Sequence, residues 1–459
     1  MHVGNARTGL FSWLFARHNG GTFILRVEDT DASRVTDEAI EILIASLRWL
    51  GIDWDEGPEV DGPHGPYRQT ERMSTYAEIS EQLVAQGDAY RCFCTKEELD
   101  ERRKAAMAEG RSPGYDGRCR SLSDEQRSAY AREGRTSVLR FRMPEKAYTV
   151  HDLVRGEVEF AAGTTRDYVL MRSDGSPTYM LAAPVDDHLM ELTHVIRGED
   201  LLPSTPGQIA LIEALGGTAP TYAHLPLIVG SDRAPLSKRH GSVSVEAFRE
   251  QGYLPEALVN YLALLGWSKD ETTTFLTREE LIEAFDISRV SHNPAAFDTE
   301  KLEWMNGHYI QGLDVDDLAA RLLPDFAEHG VAVEIDLLKR AVPLISERMK
   351  HLTEAVDLLK FLFTDDITLN EKASSLLSKA PEGYMTKAAD ALQSVDDWTH
   401  EAIAGAMDGL ASANDLNRTK GWQPIRAAVT GSNISPPLPE SLELLGKERT
   451  LARIRAVAS

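Results

Sequence analysis

An α/β fold on a doubly wound parallel sheet, interrupted by an insertion and followed by a mostly helical region, is what this 459-residue sequence predicts. Three observations carry the expectation. Helix, strand and helix alternate before Gly51. Residues 91–140 hold all the cysteines and carry 12 Lys or Arg against 9 Asp or Glu, in a chain whose net charge is −23. From about residue 241 the apolar spacing turns helical.

In chain order, Ala6 to Arg17 reads as a helix stopped by Asn19-Gly20-Gly21. Thr22-Phe23-Ile24-Leu25-Arg26-Val27 is short, apolar and β-branched, which predicts a buried strand. Thr36 caps a second helix with Asp37 and Glu38 in its first turn. Ile40, Leu43, Ile44, Leu47 and Leu50 form its apolar stripe, and Gly51 ends it. The α/β rhythm resumes at 186–230. Tyr253 to Leu265 and Leu337 to Leu362 show helical spacing, and Pro436-Pro437-Leu438-Pro439 ends a helical pair.

Composition excludes several classes. No apolar run approaches membrane-span length, and the first residues lack the basic and apolar regions of a secretory leader. Three cysteines, Cys92, Cys94 and Cys119, suit reduced thiols on a metal rather than a disulfide framework, and the expected compartment is the cytosol. The charge of −23 excludes an indiscriminate basic coat for nucleic acid. It leaves room for a narrow basic path in 91–140, and in 401–459, where 7 basic residues meet 6 acidic ones.

Two short motifs point to phosphate chemistry. His2-Val3-Gly4-Asn5 opens a helix, whose free backbone N–H groups and positive dipole attract phosphate. Leu236-Ser237-Lys238-Arg239-His240-Gly241 follows the apolar run Leu225 to Val229 and puts a lysine on a small loop. Each alone is a weak signal. Together they resemble the paired signature of class I aminoacyl-tRNA synthetases. Longer stretches carry the likeness further: Gly20 through Asp31, Gly175-Ser176-Pro177-Thr178-Tyr179, Val185-Asp186-Asp187-His188, and His194 through Asp200. Gly252 through Leu258 and Trp304-Met305-Asn306-Gly307 follow downstream. Over essentially its whole length the sequence resembles the bacterial glutamyl-tRNA synthetases.

That resemblance implies a Rossmann-like class I catalytic domain in two halves, 1–90 and 181–240, around an acceptor-stem-binding insertion at 91–180. It also implies a stem-contact fold at 241–312 and helical anticodon-binding domains at 313–375 and 376–459. The implied reaction activates L-glutamate with ATP and Mg2+, in the presence of tRNA, and transfers glutamate to the terminal adenosine of tRNA(Glu). Such in-line attack asks mainly for positioning and electrostatics. His2, Ser237 and Lys238 are the implied catalytic residues, and Gly4 and Asn5 join His2 and Lys238 around ATP. Glu28, Tyr179 and Arg197 are the implied glutamate pocket, where an arginine forks onto a carboxylate. Arg348 is the implied reader of an anticodon base. Cys92, Cys94 and Cys119 match the zinc site of some members, with Tyr115 or Ser121 as the open fourth ligand. A monomer is the expected state.

Two departures from the family pattern stand out. Members normally carry a strand and an Arg-x-Ala-Pro-Ser-Pro-Thr-Gly segment before the histidine motif, so a start assigned downstream of the true one is expected, with very weak glutamate activation by the chain as it stands. Pro235 also occupies a place usually held by lysine, which removes one cation and fixes φ. Two other readings remain: a paralogue that glutamylates the queuosine base in tRNA, and a non-catalytic tRNA-binding derivative. The roughly 200 residues beyond the lysine loop disfavour the first, and retention of His2, Glu28, Arg197 and Lys238 disfavours the second.

Overall fold

A computed structural model of the chain describes residues 1–30, 36–110 and 114–458. Asp31, the last residue of the 20–31 stretch, and Arg111 to Pro113 of the insertion lie outside the described residues, as does the side chain of Lys238. Two compact units emerge: Met1–Glu246 with Val259–Asp298, and Ala247–Leu258 with Thr299–Ser459.

The first unit begins with helix α1 (Val3–His18) and helix α2 (Asp37–Trp49). Thr36 Oγ1 caps α2 by accepting the Ala39 N–H. Its stripe is split: Ile44, Leu47 and Leu50 are buried, whereas Ile40 and Leu43 help line an open cavity. The expected buried strand at 22–27 is instead a half-exposed extended segment, bridged only at Ile24–Glu56 and Val27–Arg68. The physical reason is one-sided pairing. Leu25 and Val27 bond residues 56 and 67 through their amides, and all four of Ile24, Leu25, Arg26 and Val27 border the larger cavity instead of a second strand.

Helix α3 (Met73–Gln86) leads into the insertion. There, strands β1 (Ala89–Cys92), β2 (Val138–Phe141) and β5 (Val169–Met171) form an antiparallel sheet in the order β1-β2-β5. Helices α4 (Lys96–Ala108) and α5 (Asp124–Arg132) sit between β1 and β2 in sequence, each started by a complete capping box.

The second sheet positions the site. Strands β3 (Tyr148–Asp152) and β4 (Gly156–Phe160) form a hairpin. Helix α6 (Tyr179–Leu189) precedes strand β6 (His194–Gly198), and helix α7 (Thr205–Ala214) connects β6 to strand β7 (Thr221–Leu225). The order is β4-β3-β7-β6, with β7 parallel to both β3 and β6. Strand, helix and parallel strand is the βαβ crossover unit, which places ligands at the strands' carboxyl ends. Asp152 and Gly198 end β3 and β6, and His224 is the penultimate residue of β7. Arg7, in α1, bonds the carbonyls of Pro226 and Leu265. Burial without a carboxylate lowers that guanidinium to about 10.

The second unit is helical, with a core that includes Leu318, Leu322, Phe326, Leu338, Ile403, Met407, Ile425 and Ile454. Each such side chain contributes about 1.5–3 kcal/mol through burial. The continuous helical spacing expected at 337–362 is broken here. Ile335–Ala341 is α-helical, Val342–Leu344 is a 3-10 turn, and Glu354–Leu359 is the next helix. Pro343 lacks the N–H a continuing helix needs and crowds the preceding turn. Arg348 therefore sits in a turn rather than on a helix face.

Candidate active site

Two cavities in the first unit, of about 830 and 960 Å3, share a wall made of Ile24, Arg26, Glu28, Leu192, Ile196, Arg197 and Leu201. The sequence motifs divide between them. Tyr179 lies on the smaller, with Asp187 and His194. His2, Gly4, Asn5, Pro235 and Leu236 lie on the larger. Glu28 and Arg197 line both.

His2 is the N-cap of α1: its Nδ1 accepts the Gly4 N–H at 3.0 Å. That contact leaves Nε2–H to donate, and the Leu236 backbone lies close enough to the ring to act on its titration. The two motifs, some 230 residues apart in sequence, thus meet through one imidazole. Burial lowers the His2 pKa, more strongly than the Leu236 backbone raises it. The ring is accordingly neutral near pH 7. Gly4 is needed for the close approach, because a Cβ there would stand 3.1 Å from His2 Nδ1.

The lysine loop folds on itself. Leu236 pairs with Ile228 through its N–H, and the Ser237 N–H donates to His240 Nδ1 at 3.0 Å. His240 in turn reaches Asp232 and packs so close to Gly230 that a Cβ there would be 2.6 Å from its ring. Ser237 is half-buried within this turn rather than among the residues that line the larger cavity. Lys238 opens a short 3-10 turn, Lys238–His240.

Arg197 is buried, with 7% of its surface exposed. Its Nε donates to His224 Nε2 at 3.1 Å, and its Nη2 to Thr205 Oγ1 at 2.9 Å. Nη1 donates to the Tyr179 hydroxyl at 3.1 Å and to Gln208 Oε1 at 2.6 Å. Every one of these acceptors is neutral, and among the described residues no carboxylate lies within ion-pair distance of Arg197. A buried, oriented cation with no carboxylate in direct contact is a receptor for an anion.

Two acids, Glu28 and Asp187, line the smaller cavity with Arg197. Arg26 spans Glu28 at 3.0 Å and Asp187 at 2.8 Å, with Asp186 at 3.7 Å. Asp186 is itself saturated by Arg72, Gln69 and Tyr76. Burial raises Asp187 despite Arg26, whereas Glu28 remains exposed at 39% of its side chain. Arg26, Asp187, Gln208 and Thr205 were not assigned roles from sequence. Asp187 had a signal, since it falls inside the quoted Val185-Asp186-Asp187-His188 run; Gln208 and Thr205 had none.

In the insertion, the sulfurs of Cys92, Cys94 and Cys119 lie within 4.8 Å of one another, with Cys94 and Cys119 at 3.6 Å. Tyr115 joins them: its hydroxyl is 3.3 Å from Cys92 Sγ and accepts the Cys119 N–H at 2.9 Å. Ser121 is exposed on the neighbouring turn. Tetrahedral zinc with bonds of about 2.3 Å sets sulfurs about 3.8 Å apart, so the donor set fits that ion. Arg140 stacks over Tyr115 at 3.9 Å and fixes the ring.

In the second unit, Arg348 donates to the Ser435 carbonyl at 3.1 Å. Arg426 is close enough that its pKa is lowered, by burial first and by the Arg348 charge second, and its Nε has no partner. Among the described residues neither arginine has an acidic partner.

The paired nucleotide motifs on a parallel-stranded α/β sheet, followed by a helical unit, are those of a class I synthetase. Family comparison agrees: residues 1–304 match the catalytic domain of class I tRNA synthetases (E and Q), and residues 317–458 match an anticodon binding domain. The glutamate–tRNA ligase of a Nocardioides species is 47% identical over 99% of this chain and 95% of its own length. That of Mycobacterium tuberculosis is 46% identical over 99% and 94%. A crystal structure of a glutamate tRNA ligase from Elizabethkingia meningosepticum, in complex with its amino acid, superposes with a TM-score of 0.86 at 35% identity, covering 100% of this chain and 96% of the other. The chain belongs to the glutamate–tRNA ligase family, the ligases that form aminoacyl-tRNA. No helix among the described residues is long and apolar enough to cross a membrane.

Proposed function

We propose that the two joined cavities perform glutamate activation, with glutamate in the smaller and ATP in the larger. One observation carries this: Arg197, buried and held by neutral acceptors alone, lines both cavities beside Glu28. Arg197, with Tyr179, takes the γ-carboxylate of L-glutamate. Glu28 takes the ammonium, and Asp187 adds negative charge on the same wall. The α-carboxylate oxygen then attacks the α-phosphorus of ATP and displaces pyrophosphate, whose charge Mg2+ would neutralise when bound. His2, Gly4 and Asn5 at the start of α1 hold the phosphates, and Lys238 and Ser237 act from the loop. The terminal ribose hydroxyl of tRNA(Glu) next attacks the acyl carbon and releases AMP. Charging of purified tRNA(Glu) with labelled glutamate tests the reading; any charging above background supports it, and a family-level rate would also overturn the weak activation expected from the sequence. Tight tRNA binding without charging would favour the non-catalytic derivative instead.

The insertion at 91–180 grips the acceptor end, 241–312 contacts the stem, and 313–375 and 376–459 take the anticodon. Arg348 reads an anticodon base, with support from the unneutralised Arg426 beside it. Arg348→Ala is expected to weaken tRNA(Glu) by about 5- to 100-fold in KM, equivalent to about 1–3 kcal/mol, while glutamate and ATP KM stay unchanged. Titration of tRNA in the charging assay checks this.

One structural zinc on Cys92, Cys94, Cys119 and Tyr115 holds the insertion together, because three adjacent thiols need a cation before they can ionise together. Elemental analysis is expected to find about one zinc per chain, lost in Cys119→Ser together with part of the thermal stability. Metal-free protein with an unchanged melting temperature would exclude the site. The chain acts as a monomer in the cytosol; light scattering of the purified protein tests the first point.

A further inference from the structure

We propose that Asp152 and His224 are positioning residues that hold Arg197 in the one orientation from which it takes the glutamate side chain. The proposal rests on the reading of Arg197 as the γ-carboxylate receptor. The geometry is a row across three neighbouring strands. Asp152 ends β3, His224 lies on β7, and Arg197 on β6 is the register partner of His224. Asp152 Oδ2 stands 2.6 Å from His224 Nδ1, and His224 Nε2 stands 3.1 Å from Arg197 Nε. Both His224 and Asp152 are buried, with no exposed side-chain surface.

The row works only in one protonation state. Arg197 can only donate, so His224 Nε2 must present a lone pair. The imidazole proton must then sit on Nδ1, where Asp152 accepts it. Asp152 is held as an acceptor by other donors as well. Its Oδ1 receives the backbone N–H groups of Val154 and Arg155 at 2.9 and 2.8 Å, and the His224 N–H reaches both oxygens at 3.1 Å. Burial favours the neutral carboxyl, but these hydrogen bonds hold Asp152 below its ordinary value. Burial likewise lowers His224 and keeps the ring uncharged beside Arg197.

This arrangement explains why Arg197 is fixed without being neutralised. A direct carboxylate partner would orient the guanidinium and also cancel its charge. Relayed through a neutral imidazole, the aspartate orients it at one remove, and the cation stays available to a substrate anion. Gln208 and Thr205 complete the cradle with neutral oxygens.

Side-chain amides separate this role from simple packing. In His224→Asn the amide nitrogen replaces Nδ1 and still reaches Asp152, but nothing replaces the ring nitrogen that accepts from Arg197 Nε. In His224→Gln the amide oxygen falls near the place of Nε2 and restores that acceptor. In Asp152→Asn the loop amides keep the oxygen, so the new NH2 faces Nδ1 and drives the proton to Nε2, against Arg197. Glutamate and ATP are titrated separately in tRNA charging. Expected are glutamate KM values about 10- to 100-fold higher in His224→Asn and Asp152→Asn, unchanged ATP KM, and recovery of most of the loss in His224→Gln. An unchanged glutamate KM in His224→Asn, or equal losses in the Asn and Gln variants, would overturn the proposal. So would parallel losses in both KM values with a lowered melting temperature. Arg197→Met separates the layers. If it too leaves glutamate KM unchanged, the receptor reading fails; if it raises KM while His224→Asn does not, only the positioning role fails.

Discussion

Arg197→Met is expected to raise the glutamate KM by about 10²- to 10³-fold, because a buried hydrogen-bonded charge contact is worth about 2–5 kcal/mol once one partner is removed. The loss should fall on glutamate and spare ATP, since only the γ-carboxylate is addressed by the guanidinium. Arg197→Lys is not expected to rescue it. Lysine presents a point charge, whereas the four acceptors here, His224, Tyr179, Gln208 and Thr205, are arranged for a planar fork. Both variants should also lose preference for glutamate over glutamine, measured as the ratio of kcat/KM for the two amino acids. A full preference retained in Arg197→Met would remove the residue from the pocket.

Removal of the His2 ring is the second large effect. His2→Asn keeps a good N-cap for α1 and is expected to melt near the parent, yet to charge tRNA about 10²-fold more slowly through lost stabilisation of phosphate charge. His2→Ala should lose the same activity and about 1 kcal/mol of stability besides, from the missing cap. The pH dependence follows from the bond that His2 Nδ1 accepts from Gly4. Protonation there destroys the cap, and burial lowers the folded pKa. The fold therefore takes up this proton less readily than the unfolded chain. Stability from the neutral ring is present above the unfolded value of about 6.5, and is lost as pH falls from there through the lower folded value. Acid melting curves should show that extra loss in the parent and not in His2→Asn.

Much of the site was legible because its parts are local. The helix start at His2-Val3-Gly4-Asn5 needs only neighbouring residues, the Thr36 cap only residues 36–39, and the thiol cluster announces itself through cysteine content alone. Tyr115 and Ser121, two candidates for one place, differ in position: the turn carries Tyr115 onto Cys92 and leaves Ser121 exposed. Periodicity misread two stretches. Residues 22–27 have the composition of a buried strand, but burial depends on what lies on both edges, and here one edge faces cavities. Residues 337–362 keep helical apolar spacing across Pro343, whose missing N–H outweighs it and leaves Arg348 on a turn beside Arg426.

The sequence by itself determined the α/β class, the helical second half, the family, and the residue types able to handle phosphate and carboxylate. These depend on local pattern and on runs of matching residues. Only the tertiary structure decided which of those residues share a cavity, and which are charged and free to act. Asp152, Arg197 and His224 are scattered over more than 70 positions, and none is diagnostic alone. Strand register sets them side by side, and burial then fixes one tautomer and one cation with no carboxylate in direct contact. Long-range pairing and desolvation are properties of the folded chain, so no local pattern encodes them in readable form.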